Sequence, residues 1–351
     1  MTMKAKYIFI AAMAAMAMLN TSCEKVSPQG VLMAGTAVED RVKMSQLFYK
    51  DYLQQSSNNI IVNPYDSKLH GYSFLVGSDS HVTTDPGRMD EMFAIGLENN
   101  DLLYCHLGDI ADTKPEYYIT LDKSIQYAKS NYVQKYYEPN ELGRYVRKGD
   151  IYDDYGILYE DIKFPFFPVV GNHDLTHNGW ALWSNLFHSS FYEFDVICGY
   201  DEEGNQICDH FIFLDTASGT LGKLQVDLIE QGVLDGEDYY RYTFIFGHTN
   251  IFLPQNMQFA STFPREEAYF LLKQFDKWNA SIVFCGHVHK WDEQIFNMVH
   301  FVTLDSMSER NSPEAGDYLV RVTVNEDGKL DIEKVHMNYV AKSNSNSNSD
   351  S

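Results

Sequence analysis

Cysteine is scarce in this chain: five residues in 351, none of them in a Cys-x-x-Cys pair, which argues against a thiolate zinc site. Positive charge is scarce as well. Lysine and arginine number 27 against 49 aspartates and glutamates, for a formal net charge of −22. Such a balance repels nucleic-acid backbones and anionic lipid surfaces, and no basic stripe offsets it, so no nucleic-acid polymer is expected as a partner. Long apolar runs are missing too: Tyr7–Leu19 falls short of the ~20 residues that span a bilayer. There is no internal repeat. What remains is 44% hydrophobic and long enough to bury a large core.

Lys4 and Lys6 ahead of that apolar run, with small residues behind it, form the pattern of an export signal. Thr21-Ser22-Cys23 resembles a bacterial lipoprotein processing site, with Leu19 four residues before the cysteine and Asn20 in the usual place of the leucine. The expectation is a signal peptide over residues 1–22, a lipid anchor on Cys23 and a periplasmic or surface location in a bacterial cell envelope. Ordinary cleavage to a soluble exported protein is the alternative. Losing Lys4 and Lys6 would move the charge to −24. Residues 23–70 read as a tether and entry segment, 71–340 as one domain, and 341–351 as a disordered Asn/Ser tail.

Within the domain, Gly71–Val76 and Leu102–Leu107 read as strands around a helix at Arg88–Glu98, where Met89, Met92, Phe93 and Leu97 recur at helical spacing. That is βαβ order. A Tyr-rich insertion at about 113–163 follows, with Ile119–Tyr137 as its helix and the remainder as loop. It reads either as a lid that selects substrate or as a covering for the sheet edge. Phe164–Val170 is the third strand, and Phe191–Thr216 a β-rich excursion. Leu221–Leu234 and Glu266–Trp278 are helices, and Tyr242–Phe246 and Ile282–Cys285 strands. Val299–Leu304, Tyr318–Val324 and Leu330–Val335 are expected to finish a second sheet. Cys198 and Cys208 flank a turn-like stretch and are candidates for a disulfide across it. Cys105 and Cys285 read as buried thiols.

Five clusters stand where these hydrophobic runs stop: Asp79-Ser80-His81, Gly108-Asp109, Gly171-Asn172-His173-Asp174, Gly247-His248 and Gly286-His287-Val288-His289. Side chains at strand ends gather at the carboxyl edge of one sheet. A mixed Asp, His and Asn set suits Mn, Fe, Zn, Co or Ni better than calcium. Two such ions ~3.5–4 Å apart share a carboxylate and clamp both oxygens of an in-line displacement.

With Asp112 completing Gly108-Asp109-Ile110-Ala111-Asp112, these motifs over residues 71–305 resemble the calcineurin-like metallophosphoesterase family. The resemblance implies a four-layer α/β sandwich, two mixed β-sheets flanked by helices. It implies two divalent or trivalent metal ions as cofactors. Asp79, His81 and His289 would hold the first, Asn172, His248 and His287 the second, and Asp109 would bridge them. His173 would protonate the leaving group, oriented by Asp112, while metal-activated hydroxide attacks a phosphomono- or diester. Asp112 replaces the tyrosine ligand of purple acid phosphatases, so their coloured iron centre is not implied. Thr113 stands where Ser/Thr protein phosphatases carry a phosphate-binding arginine.

Asp174 reads as a local anchor. His70, His106, His177, His188, His210, His300 and His336 read as ordinary polar residues, with His177 close enough in sequence to His173 to line its pocket. Trp180, Trp183 and Trp291 read as core. The expected partner is a small phosphoester, with the membrane met only through Cys23. Alternatives are a surface binding protein that keeps the fold without catalysis, and a nucleotide or phospholipid-headgroup phosphodiesterase.

Overall fold

The computed structural model describes residues 37–53, 59–150, 153, 155–236, 240–252, 263–308 and 318–337. The signal-peptide region, Cys23 and the Asn/Ser tail lie outside these residues. None of the described helices is long and apolar enough to cross a membrane.

Helix α1 (Val38–Leu53) and the short strand β1 (Ile60–Ile61) precede β2 (Tyr72–Gly77), α2 (Arg88–Asn99) and β3 (Leu103–His106). Helix α2 carries Asp90 and Glu91 in its first turn and closes on Asn100 in the left-handed region, whose N–H caps the Gly96 and Leu97 carbonyls. The helix of the insertion begins earlier than the expected Ile119. Pro115, suited to a first turn, opens α3 (Pro115–Tyr136). A hairpin follows, β4 (Tyr137–Pro139) with β5 (Tyr145–Arg147), where loop was expected.

Strand β6 (Phe166–Pro168) is shorter than the expected Phe164–Val170. Pro165 and Pro168 explain the shortening, because proline cannot donate to a ladder and is confined to sheet edges. Helix α4 (Trp180–Phe187) leads to the long pair β7 (Tyr192–Tyr200) and β8 (Gln206–Phe213). Then come α5 (Gly222–Glu230), β9 (Thr243–Phe246), α6 (Arg265–Lys277), β10 (Ile282–Cys285), β11 (Asp292–Phe296), β12 (Val299–Thr303), β13 (Tyr318–Val324) and β14 (Leu330–His336).

Two mixed sheets result. One has the order β1-β7-β8-β9-β10-β12-β11, the other β14-β13-β2-β3-β6. The three last strands expected to share a sheet therefore part company: β12 runs parallel to β10, whereas β13 pairs with β2. The β7–β8 pair is part of the larger sheet, not an excursion from it.

Alternation along each strand builds the layers. Phe244 and Phe246 of β9, Ile282 and Phe284 of β10, and Phe74 and Val76 of β2 meet between the sheets. Phe213 stacks on Phe246 at 4.6 Å, and Phe74 meets Phe211 and Phe244 edge-on at 5.1 Å each. Ile245, Val283 and Cys285 face the opposite way, toward Leu228, Ile229, Leu271 and Phe275 of α5 and α6. On the far side, Leu75 and Tyr104 pack against Met89, Met92, Phe93, Tyr118, Leu121, Trp180 and Trp183 of the helices there. Both faces of each sheet are thus covered, which is why these strands read as unbroken apolar runs. The architecture is the expected four-layer α/β sandwich. Helix α3 of the insertion belongs to the outermost of these layers. Trp180 and Trp183 are core, as expected.

No disulfide joins Cys198 and Cys208; both are buried as reduced thiols. Cys208 pairs with Ile197, while Cys198 sits in a bulge and turns inward to the same face as Val196 and Asp209. Side chains on opposite faces of a strand pair cannot bridge. At the end of the sandwich away from the motif loops, Asp209 accepts from Arg241 Nη2 at 2.6 Å and Nε at 3.0 Å. It also accepts from the Tyr72 hydroxyl at 2.9 Å, tying the two sheets together.

Candidate metal centre

Strands β2, β3 and β6 of one sheet and β9 and β10 of the other end at the same rim, and each delivers one motif loop there. The loops cross so closely that glycine is required. A Cβ at Gly171 would overlap the backbone nitrogen and Oδ1 of Asp109, and one at Gly286 would overlap the side chains of Ser78 and Asp79. Gly108, at φ +90°, is hemmed in by Gly171 and the His248 ring. The backbone is also strained. Asp79, His81, Asp109, His287 and His289 all have φ between 45° and 71°. Non-glycine residues rarely adopt that region, and each such position costs on the order of 1–3 kcal/mol unless its surroundings enforce it.

The side chains converge in two sets that share one member. Ligating atoms of Asp79, His81, Asp109 and His289 lie within 4.8 Å of one another, and so do those of Asp109, His248 and His287. Asp79 Oδ1 is 3.1 Å from His289 Nε2, and its Oδ2 accepts the Ser78 hydroxyl and the His287 N–H. His289 Nε2 is 3.4 Å from His81 Nε2. On the other side, Asn172 Oδ1 is 2.9 Å from His248 Nε2 and 2.8 Å from His287 Nδ1. Asp109 Oδ1 accepts the His173 N–H at 2.7 Å, and its Oδ2 lies 3.4 Å from His248 Nε2.

Hydrogen bonds behind the ligands select their tautomers. His248 Nδ1 donates to the Leu107 carbonyl at 2.7 Å, which turns Nε2 toward Asn172 and Asp109. His81 Nδ1 lies 3.3 Å from Asp112 Oδ1, leaving Nε2 to face His289. A carbonyl or carboxylate behind a ligating imidazole is the usual support of a metal site. Asp112 is expected to orient His173; the hydrogen-bond contact seen is with His81, and His81, Asp112 and His173 form a third cluster. The His173 and His81 rings meet edge-on at 4.9 Å, and His173 is exposed toward solvent. Asp174 is an anchor, as expected. It is buried and accepts the N–H groups of Ile110 and Gly171 at 3.0 and 2.8 Å and the Tyr118 hydroxyl at 3.2 Å. His177, with φ 51°, is exposed.

The buried charged groups at this rim act strongly on one another. Burial opposes ionisation of Asp109, yet His248, His173 and His81 hold its carboxyl far below the ordinary range. Burial likewise opposes a charged His248, but Asp109 and Asp79 outweigh it and raise this imidazole to about 9. Burial and the neighbouring His248 push His287 down to about 4. Two buried carboxylates, four imidazoles and an amide oxygen form a donor set matched to a borderline metal ion.

Two supporting residues escaped the sequence reading. Thr216 Oγ1 accepts the N–H of His248 at 2.6 Å, and Ser306 Oγ donates to the Asp79 carbonyl at 2.8 Å. Both follow an aspartate that ends a hydrophobic run, at Phe211-Ile212-Phe213-Leu214-Asp215 and Phe301-Val302-Thr303-Leu304-Asp305. That is the same signal as the five motifs, without a histidine to draw notice.

No family model matches the chain, and no curated protein matches it in sequence. Among solved structures it is similar to a dimetal phosphatase from Danio rerio, at 10% identity and a TM-score of 0.45, over 75% of this chain and 95% of that one. It is also similar to GAP50, the anchor in the inner membrane complex of Plasmodium, at 12% identity and a TM-score of 0.44, over 77% and 90%. An archaeal phosphodiesterase matches at 9% identity and a TM-score of 0.34, over 75% and 99%. Likenesses this distant describe a chain path and not a reaction.

Proposed function

We propose that the chain is a calcineurin-like metallophosphoesterase that hydrolyses small phosphomono- or diesters with two metal ions. The observation that carries this reading is the membership of Asp109 in both ligand clusters, the position a bridging carboxylate needs. Asp79, His81 and His289 would hold one ion, and Asn172, His248 and His287 the other. Bound there, the ions would lower the pKa of a water and neutralise charge on the phosphoryl oxygens.

The chain's own groups do the rest. Leu107 and Asp112 keep His248 and His81 in the tautomers that offer Nε2. Asp109 fixes the His173 backbone, while Thr113 Oγ1 donates to the His173 carbonyl at 2.6 Å. The exposed His173 ring is then free to protonate a departing alkoxide, which leaves poorly without a proton. The start of the sequence supports export with a lipid on Cys23; a mature protein that starts elsewhere, by mass spectrometry, would remove that part.

The test is turnover of aryl and alkyl phosphoesters with bound metal quantified. Asp109→Ala should lose roughly a thousandfold or more in turnover and bind fewer than two ions. His173→Gln should impair alkyl esters far more than activated aryl ones. Wild-type turnover in folded Asp109→Ala would end the proposal.

A further inference from the structure

Helix α1 precedes every motif and carries none of them, yet it touches the helix that follows the Asn172–His173 turn and the loop after β8 that holds the His248 backbone. On one side the Trp180 indole N–H points at Met44 Sδ, 3.4 Å away, and Trp180 opens α4 immediately after the turn that carries His173. On the other side lies Arg41, which has no exposure. Its Nε and Nη2 donate to the two carboxylate oxygens of Asp215 at 2.8 Å each, and Nη2 also reaches Ser218 Oγ at 3.1 Å.

The residue after Asp215 is Thr216. Its Oγ1 accepts the N–H of His248 at 2.6 Å and of Thr249 at 3.1 Å, and its carbonyl accepts the Thr249 hydroxyl at 2.7 Å. Gln225 closes the far side, accepting from the Asp215 N–H at 3.0 Å and donating to the Asp215 carbonyl at 2.9 Å. One peptide unit therefore separates the carboxylate gripped by α1 from the hydroxyl that holds His248. Stability alone is a poor reason for such a pair, since well-packed apolar residues often replace a buried ion pair without loss. What the pair offers is direction: a planar guanidinium meeting a carboxylate at two points fixes its orientation. Asp79 and His81, by contrast, are held by Ser78, Ser306 and Asp112, from other parts of the chain.

We propose that Arg41 is a positioning residue for the second ion: through Asp215 and Thr216 it sets the placement of His248 against Asn172 and His287. This rests on the two-metal reading. The test is calorimetric titration of metal-stripped, full-length protein with Mn²⁺, each variant first shown to be folded by circular dichroism. Wild type should bind two ions, and His248→Ala identifies which of the two belongs to the His248 side. Arg41→Met and the isosteric Thr216→Val should weaken that same ion by roughly 10- to 100-fold while the other stays within about twofold. Arg41→Lys, which keeps the charge without the two-point contact, should fall between. Equal weakening of both ions, or two unchanged affinities, would overturn the proposal; should Arg41→Met not fold, Thr216→Val decides by the same criterion. A wild type that binds fewer than two ions would instead refute the two-metal reading itself, and this inference with it.

Discussion

Among the described residues, one buried aspartate, Asp174, is held by backbone N–H groups and the Tyr118 hydroxyl, and the other five fall into two groups. Asp209, Asp215 and Asp101 each meet an arginine through more than one hydrogen bond: Arg241, Arg41 and Arg321. Asp79 and Asp109 are no less buried, and their recorded partners are imidazoles, backbone N–H groups and the Ser78 hydroxyl. A guanidinium neutralises a carboxylate permanently, because it cannot lose its proton in the protein. Imidazole donors leave the charge to be met by something exchangeable. The first group holds the sandwich together, and the second leaves a place for a cation.

Removing metal is the strongest way to break this comparison. If Asp79 and Asp109 depend on cations, a chelator should destabilise the protein, and readded Mn²⁺ should restore it. At metal a hundredfold above Kd each ion contributes about 2.7 kcal/mol, so two contribute about 5 kcal/mol. A melting temperature indifferent to chelation would show that the imidazoles suffice. Next in size, Arg241→Met strands Asp209 in the core and should cost about 3–5 kcal/mol by denaturant unfolding, with metal stoichiometry unchanged. Lost metal in that variant would erase the distinction between the groups.

His210 offers the intermediate case, an imidazole with a carboxylate at each ring nitrogen and the Leu234 carbonyl beside Nε2. Its Nδ1 lies 2.7 Å from Asp195 and its Nε2 2.9 Å from Glu193. Burial works against its charge, but these two carboxylates prevail and raise it to about 9. A histidine raised on folding contributes its full stabilisation below the unfolded value near 6.5 and loses it as pH climbs through the folded value. Each pH unit between the two is worth about 1.4 kcal/mol, so the gap in stability between wild type and His210→Gln should shrink by about 3 kcal/mol from pH 6 to pH 9.5. A constant gap would show that charge on His210 contributes nothing.

The ends of strands were far more legible in the sequence than their partners. Ile282–Cys285 is a strand as read, and each motif sits at a strand end because a hydrophobic run that stops at a polar residue marks the place where the chain leaves the core. Periodicity carries no information about which sheet a strand joins, so it groups β12 with β13 although they belong to different sheets. Helix α1 went unread for a different reason. Its buried face holds Arg41 and Ser45 beside Val38 and Val42, and a charge whose partner lies 174 residues away looks like a surface residue. The same holds for Thr216, whose importance lies in the backbone it holds.

The left-handed backbone of Asp79, His81, Asp109, His287 and His289 bears on how this protein could be redesigned. At each of these places glycine would sit more comfortably than the side chain now present. An inert scaffold is therefore better made with glycine than with alanine at a ligand position. The relaxed loop would offset part of what a lost ion takes away.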